Sequence, residues 1–177
     1  DSPSSGSITV KAVELGRLND QKLTNYRKNY VGFIFQYFNL LPSLTARENV
    51  DLVANLLGRR KKTTALFKEL GIENLETRFP SQLSGGEQQR IAVARALVKD
   101  PAVLLCDEPT GSLDYENGRG VLELLRLINQ RKGTTTIVVT HNSVIGDIAD
   151  RVIQLGSGKI AENVTNSSPC SPRELRW

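Results

Sequence analysis

The sequence predicts an α/β fold: a mostly parallel sheet, with a block of helices inserted between two of its strands. Three observations lead there. From Pro101 onward the pattern alternates strand and helix: Ala102 to Cys106, Glu116 to Gln130, Thr134 to Thr140, Val144 to Ala149. Such alternation implies parallel strands covered on both faces. Upstream, Tyr30 to Phe35 (YVGFIF) is a compact apolar run of strand length. Between these two regions, residues at about 42–98 read as helices, an insertion into one α/β core.

The elements follow in order. Residues Asp1 to Gly6 are turn-forming, and Ser7 to Val13 alternates enough for a strand. Asp20 to Lys28 reads as a short polar helix with Leu23 on its inner face, and Pro42 ends the segment after YVGFIF. Thr45-Ala46-Arg47-Glu48 has the spacing of a capping box, so a helix starts there and runs to about Leu57. Gly58 to Lys62 (GRRKK) is a basic turn on a solvated surface, followed by a helix to about Leu70 that stops at Gly71. Ser84-Gly85-Gly86-Glu87 repeats the capping-box spacing and opens a helix to about Lys99. In the helix at Glu116 to Gln130, Leu122, Leu125 and Ile128 are among the apolar positions. Arg151 to Leu155 and Lys159 to Glu162 form a hairpin around Gly156-Ser157-Gly158. The tail from Asn163 to Trp177 is Ser/Pro-rich and expected to be poorly ordered, a tail or linker.

Bulk composition bounds the function. Apolar residues make up 39% of the 177, enough for one core, and a net charge of +4 permits an acidic partner without demanding one. No apolar run reaches the roughly 20 residues of a membrane-spanning helix. Cys106 and Cys170 make no disulfide framework; Cys106, in an apolar run, reads as a small buried hydrophobe. A cytosolic setting accounts for both, which leaves the sequons at Asn163 and Asn166 accidental. The chain contains no Met and opens in a turn, as a processed or truncated chain does.

Four sets of residues carry chemistry. The run Ala102 to Cys106 ends in two adjacent carboxylates, Asp107 and Glu108. Ligands bind outside the carboxyl ends of parallel strands, and neighbouring residues there point opposite ways. Asp107 can thus face a phosphate-bound Mg²⁺ and Glu108 an attacking water, although a strand stopping at a polar turn fits this run equally. In Leu83 to Arg90 (LSGGEQQR) two glycines occupy a first helical turn, at a cost of about 1 kcal/mol each relative to Ala. Bare N–H groups at a helix start suit a phosphate; a flexible helix start is the plainer reading. His141, the one histidine, follows the run Thr134 to Thr140, and Gln36 follows YVGFIF in the same manner. Histidine at a strand end can bond a γ-phosphate, and glutamine can orient a water or contact Mg²⁺ through its amide. Either residue alone is more often structural.

Taken in order, these segments resemble the motifs of the ABC ATPases. Gln36 with its strand resembles the Q-loop, and Leu83 to Gln88 is a full match to the signature LSGGEQ. Leu104 to Glu108 is similar to the Walker B strand end, Gly111-Ser112-Leu113-Asp114 to the D-loop, and Thr140-His141 to the H-loop. The resemblance spans about residues 1–162, a partial ATPase domain of the P-loop NTPase (RecA-type) fold with its helical subdomain at about 42–98. The segments VGFIFQ, FNLLPSLTARENV, LSGGEQQRIAVARAL and DEPTGSLD look most like the lipoprotein-releasing, macrolide-exporting and FtsE-like branch.

The resemblance implies an ATP-hydrolysing subunit that powers export or release of a substrate through an integral-membrane permease, with ATP and Mg²⁺ as cofactors. It implies Glu108 as general base, Asp107 as a Mg²⁺ ligand through water, Gln36 as sensor of Mg²⁺ and the γ-phosphate, and His141 on the γ-phosphate. The implied nucleotide-contacting set is Ser84, Gly85, Gly86, Glu87 and Asp114. The first three cap the γ-phosphate of the ATP held by the opposite subunit of a homodimer or heterodimer, and Asp114 bridges the two subunits. Tyr37 to Leu44 would receive the permease. The implied location is the cytoplasmic face of the bacterial inner membrane, with no nucleic-acid partner.

One departure matters. Members of the family carry a phosphate loop, GxxxxGK[ST], before the Q-loop, and no such motif occurs in these 177 residues. That loop supplies the β/γ-phosphate cradle, its lysine and a Mg²⁺-ligating hydroxyl. The expectation is an N-terminally truncated cassette, lacking the first strands and helix, that alone neither binds ATP tightly nor hydrolyses it. The alternatives are a regulatory or interaction module that has lost its nucleotide site and a non-transport ABC ATPase acting on nucleic acid.

Overall fold

A computed structural model describes residues 3–59 and 62–176. The sheet that positions the site has three parallel strands in the order β3 (Val31–Ile34), β4 (Val103–Asp107), β5 (Thr135–Val139). In register, Ile34 lies beside Cys106, and Asp107 beside Val139. Their carboxyl ends are therefore level, which brings residues far apart in sequence to one rim.

Between β3 and β4 run α2 (Ala46–Leu56), α3 (Lys62–Glu69) and α4 (Gly85–Leu97), the expected helical insertion. Both expected capping boxes form. Thr45 and Ser84 each accept from the backbone N–H three residues on, and Glu48 and Glu87 reach back to the cap N–H groups at 2.8 Å. Gly71, φ 64°, stands in the left-handed conformation that ends a helix. Of the basic turn Gly58 to Lys62, Arg60 and Lys61 lie outside the described residues.

α4 and α5 (Tyr115–Lys132) pack on the sheet face that carries Ile34, Leu104 and Cys106. Ile91, Val93, Ala94, Val121 and Leu125 complete that core, which is continuous with Val50, Ala54 and Phe67 of the insertion. Burial pushes the Cys106 thiol up to about 12, so it behaves as an apolar filler. The expectation of cover on both faces holds only in part among the described residues, since the opposite face is buried at Val31 and Val103 but not beyond them. The opposite face aligns Phe33, Leu105 and Ile137 in register, and Phe33 (41%) and Ile137 (48%) are exposed. The cause is that both helices lie on the same side.

Other expectations are corrected locally. Ser7 to Val13 is not one strand but a small antiparallel hairpin, β1 (Thr9–Val10) with β2 (Val13–Glu14). Its turn residues Lys11 and Ala12 both have positive φ, the twist that two-residue hairpin loops favour. α1 (Asp20–Tyr30) buries Tyr26 more fully than Leu23. The segment after β5 is a 3₁₀ helix, Ser143–Ile148.

The hairpin β6 (Arg151–Gly156) and β7 (Lys159–Thr165) forms a separate two-stranded sheet. β7 runs past the expected end at Glu162, and described residues of the tail pack against the rest of the chain. Cys170 N–H donates to Asp147 O at 3.0 Å, and Ser171 caps a 3₁₀ turn at Pro172–Glu174. Leu175 is buried with Leu122, Ile145 and Ile148. A polar composition concealed this because two buried residues, Pro172 and Leu175, and a few hydrogen bonds anchor the segment.

Candidate functional site

The rim of the sheet gathers four of the expected residues. Glu108 follows β4 with φ 44° and is fixed at both backbone ends: its N–H donates to Val139 O at 2.9 Å, and its C=O accepts from Gly111 at 3.0 Å. Both oxygens of its carboxylate accept hydrogen bonds. Oε2 accepts from Thr140 Oγ1 at 3.0 Å, and Oε1 from the His141 N–H at 2.8 Å. His141 Nδ1 meets Oε1 at 2.6 Å; a charged carboxylate only accepts, so Nδ1 carries the proton. Burial alone would raise the Glu108 pKa, but the bonds from the His141 side chain and backbone and from Thr140 outweigh it, and the group is held below its ordinary 4.5. Asp107, one residue earlier, is exposed. The two carboxylates thus face different surroundings, Asp107 at the end of β4 and Glu108 just past it in the left-handed region.

Gln36 completes the rim. Ser112 Oγ donates to its backbone oxygen at 2.8 Å, and a Cβ at Gly111 would stand 2.9 Å from Gln36 Nε2. The loop after Glu108 therefore needs glycine at 111 for the Gln36 amide to lie beside it.

The start of α4 forms a second group. Ser84 and Glu87 spend their side chains on each other's backbone, which leaves the Gly85 and Gly86 N–H groups without an acceptor among the described residues. The reason for two glycines is broader than anion access. A Cβ on Gly86 would lie 3.0 Å from Asn117 Cβ and closer still to its amide, and one on Gly85 would lie 3.1 Å from Leu113 Cδ2. The helix start is bare partly so that it can press against the start of α5. Asp114 caps α5: Oδ1 accepts from Asn117 N–H at 3.0 Å, and Oδ2 from Asn117 Nδ2 at 2.6 Å. Those two bonds lower its pKa.

No hydrogen bond among the described residues joins Ser84, Gly85, Gly86 or Glu87 to Gln36, Asp107, Glu108 or His141. The loop at 109–113 connects the groups instead: buried Gln89 of α4 donates from Nε2 to Pro109 O at 2.8 Å. Sequence reasoning missed Gln89, Asn117 and the Thr140 side chain as parts of the site. Asn117 carried a signal, since it sits three residues after Asp114, where an N-cap finds its donor; the other two carried none. Among the described residues no helix is long and apolar enough to cross a membrane.

Comparison with known proteins places the chain in a family. The family described as ABC transporter matches residues 1–111. The putative ABC transporter ATP-binding protein MG065 homologue of Mycoplasma pneumoniae is 44% identical over 180 residues, covering all of this chain but 39% of that protein. This chain thus spans well under half the length of that relative. The lipoprotein-releasing system ATP-binding protein LolD of Cytophaga hutchinsonii is 40% identical over 166 residues, 90% of this chain and 75% of that one. Among solved structures, the dimeric post-hydrolysis state of the ATP-binding cassette MJ0796 bound to ADP and Pi superposes with a TM-score of 0.78 at 36% identity, covering 93% of this chain and 75% of that one. On its motifs, its fold and these relatives, the chain belongs to the ABC transporter ATP-binding family.

Proposed function

We propose that these residues are the larger part of an ATP-hydrolysing cassette that powers export or release of a substrate through a partner permease. The observation that carries this reading is the convergence of Gln36, Asp107, Glu108, Thr140 and His141 at the carboxyl ends of three parallel strands, where an α/β sheet binds its ligand.

The roles are those that the family resemblance implies, and the geometry supports them. Glu108 is the base that takes a proton from the attacking water. As it stands, the His141 ring occupies one side of Oε1, so a shift of the imidazole toward the γ-phosphate would open that side to the water, while the His141 N–H keeps its bond to Oε1 and Thr140 keeps Oε2 in place. Asp107 offers its exposed carboxylate to Mg²⁺ through water, and Gln36 its amide. The ion is expected to arrive as part of the Mg²⁺–ATP substrate. Ser84, Gly85, Gly86 and Glu87 present the helix start whose unpaired N–H groups cap the γ-phosphate of ATP on an opposing cassette, and Asp114 lies at that contact. No GxxxxGK[ST] loop occurs in residues 1–177, and turnover needs the phosphate cradle and lysine that such a loop provides. Tyr37 to Leu44, in which Tyr37 (74%) and Leu41 are exposed, form the permease-facing surface and set the chain against the cytoplasmic side of a membrane. The lipoprotein-release name of one relative favours export or release over import.

The test is Glu108→Gln in the full-length parent. Hydrolysis is expected to fall about 10²–10⁴-fold while Mg²⁺–ATP affinity is kept. Undiminished turnover would sink the reading.

A further inference from the structure

We propose that Arg95 is a positioning residue: its guanidinium pins the turn after Gln36 to α4, so that the segment Tyr37 to Leu44 and the Ser84–Gly86 helix start are held as one unit. The inference rests on the roles proposed above for Gln36 and for Ser84, Gly85 and Gly86, and it adds a residue that none of the motifs assigns.

The turn needs holding. Phe38 and Asn39 have φ 60° and 49°, and the left-handed region is unfavourable for a residue with a Cβ, more so for a bulky aromatic than for asparagine. Two short-range bonds, Phe38 N–H to Phe35 O at 3.2 Å and Asn39 N–H to Tyr37 O, close the turn on itself. Arg95 closes it onto the helix: Nη2 donates to Phe38 O at 2.7 Å, and Nη1 to Asn39 O. Among the described residues Arg95 makes no ion pair; its described bonds go to two successive backbone carbonyls. It is partly buried, and desolvation lowers its pKa, yet a guanidinium stays charged at any working pH. The two bonds come from two nitrogens of one rigid, planar fork, a geometry that the single nitrogen of lysine does not reproduce.

The rest of the segment is also tied to helices. Buried Asn49 of α2 accepts from Leu41 N–H at 2.7 Å and donates to Leu41 O and Leu44 O at 3.1 and 3.0 Å. Gln36 O, by contrast, is held by Ser112 on the loop after β4. The backbone therefore passes from the sheet's loop to the helices between Gln36 and Phe38. Arg95 makes the first bonds on the helical side. Ten residues back along α4, roughly 15 Å, is Gly85. A displacement imposed on Tyr37 to Leu44 is thereby passed to the helix start through a rigid element rather than lost in a loop.

Amide hydrogen exchange on the 177-residue chain, resolved by residue, tests this without nucleotide. Arg95→Lys is expected to speed exchange at Phe38, Asn39 and Leu41 by about tenfold or more, with the amides of Ala92 to Ala96 unmoved. Arg95→Ala should do the same or more; if it fails to fold, the lysine variant decides. Unchanged exchange in Arg95→Lys, or an equal rise across α4 and the sheet, would overturn the inference. In the full-length parent, Arg95→Lys is expected to lower the kcat of ATP hydrolysis with KM unmoved, whereas a loss of general stability alone would reduce the active fraction and the melting temperature together. A wild-type parent that does not hydrolyse ATP would defeat the functional reading while leaving the exchange result standing, so the two failures are distinguishable.

Discussion

Glu108 is the residue on which the chemistry and the backbone both bear hardest. Its left-handed φ of 44° costs an L-residue roughly 1–2 kcal/mol, and such conformations persist only where the surroundings over-determine them. Here they do, through one backbone bond at each side and three bonds to the carboxylate. The same bonds set a pH dependence. The folded-state pKa lies below the ordinary 4.5 because the bonds from His141 and Thr140 outweigh the burial that would raise it. The unfolded chain therefore binds the proton more readily, and the stability these bonds contribute is complete above the unfolded value and lost as pH falls through the folded one. Denaturant melts of the wild type and Glu108→Gln, compared at neutral pH and at successive steps below about pH 5, should show a shallower acid loss in the variant. Parallel curves would mean that the Thr140 and His141 bonds do not distinguish the ionised from the neutral acid.

At the scale of elements, the meeting of α4 with α5 explains a motif that helix propensity alone opposes. Replacing a helical glycine with alanine ordinarily stabilises a helix by about 1 kcal/mol. At Gly86 the added Cβ would drive into Asn117, whose own side chain is committed to Asp114. Gly86→Ala is therefore expected to destabilise by roughly 1–3 kcal/mol, the range of overpacking. In an Asn117→Ala background the same change should cost at least about 0.5 kcal/mol less, the size of coupling seen between residues in contact. Urea titrations of the four proteins measure it. Equal costs in both backgrounds would return the glycine to a purely ligand-facing role.

Across the whole molecule, what was legible in the sequence was what local pattern determines. The capping boxes at Thr45 and Ser84, the strand at YVGFIF and the paired carboxylates after β4 all follow from spacing within a few residues. What depends on the third dimension was not: the pressure of Asn117 on Gly86, the docking of Leu175, and the fact that α4 and α5 share one sheet face. That last point has a consequence for the molecule in solution. β5 is an edge strand of the three-stranded sheet, and its sequence, TTIVV, carries none of the lysine or proline that blunts exposed edges. Ile137 and Val139 are 48% and 61% exposed, beside the row begun by Phe33. An open edge next to an open apolar face is a template for pairing with another chain. The 177-residue chain without nucleotide is thus expected to self-associate as its concentration rises through the micromolar range, followed by light scattering. Ile137→Lys, which places a charge on the open face away from the Glu108 rim, should shift that onset upward while leaving the far-ultraviolet helix signal unchanged. A wild-type chain that stays monomeric throughout, or a lysine variant that associates just as readily, would show that this face is not what drives association.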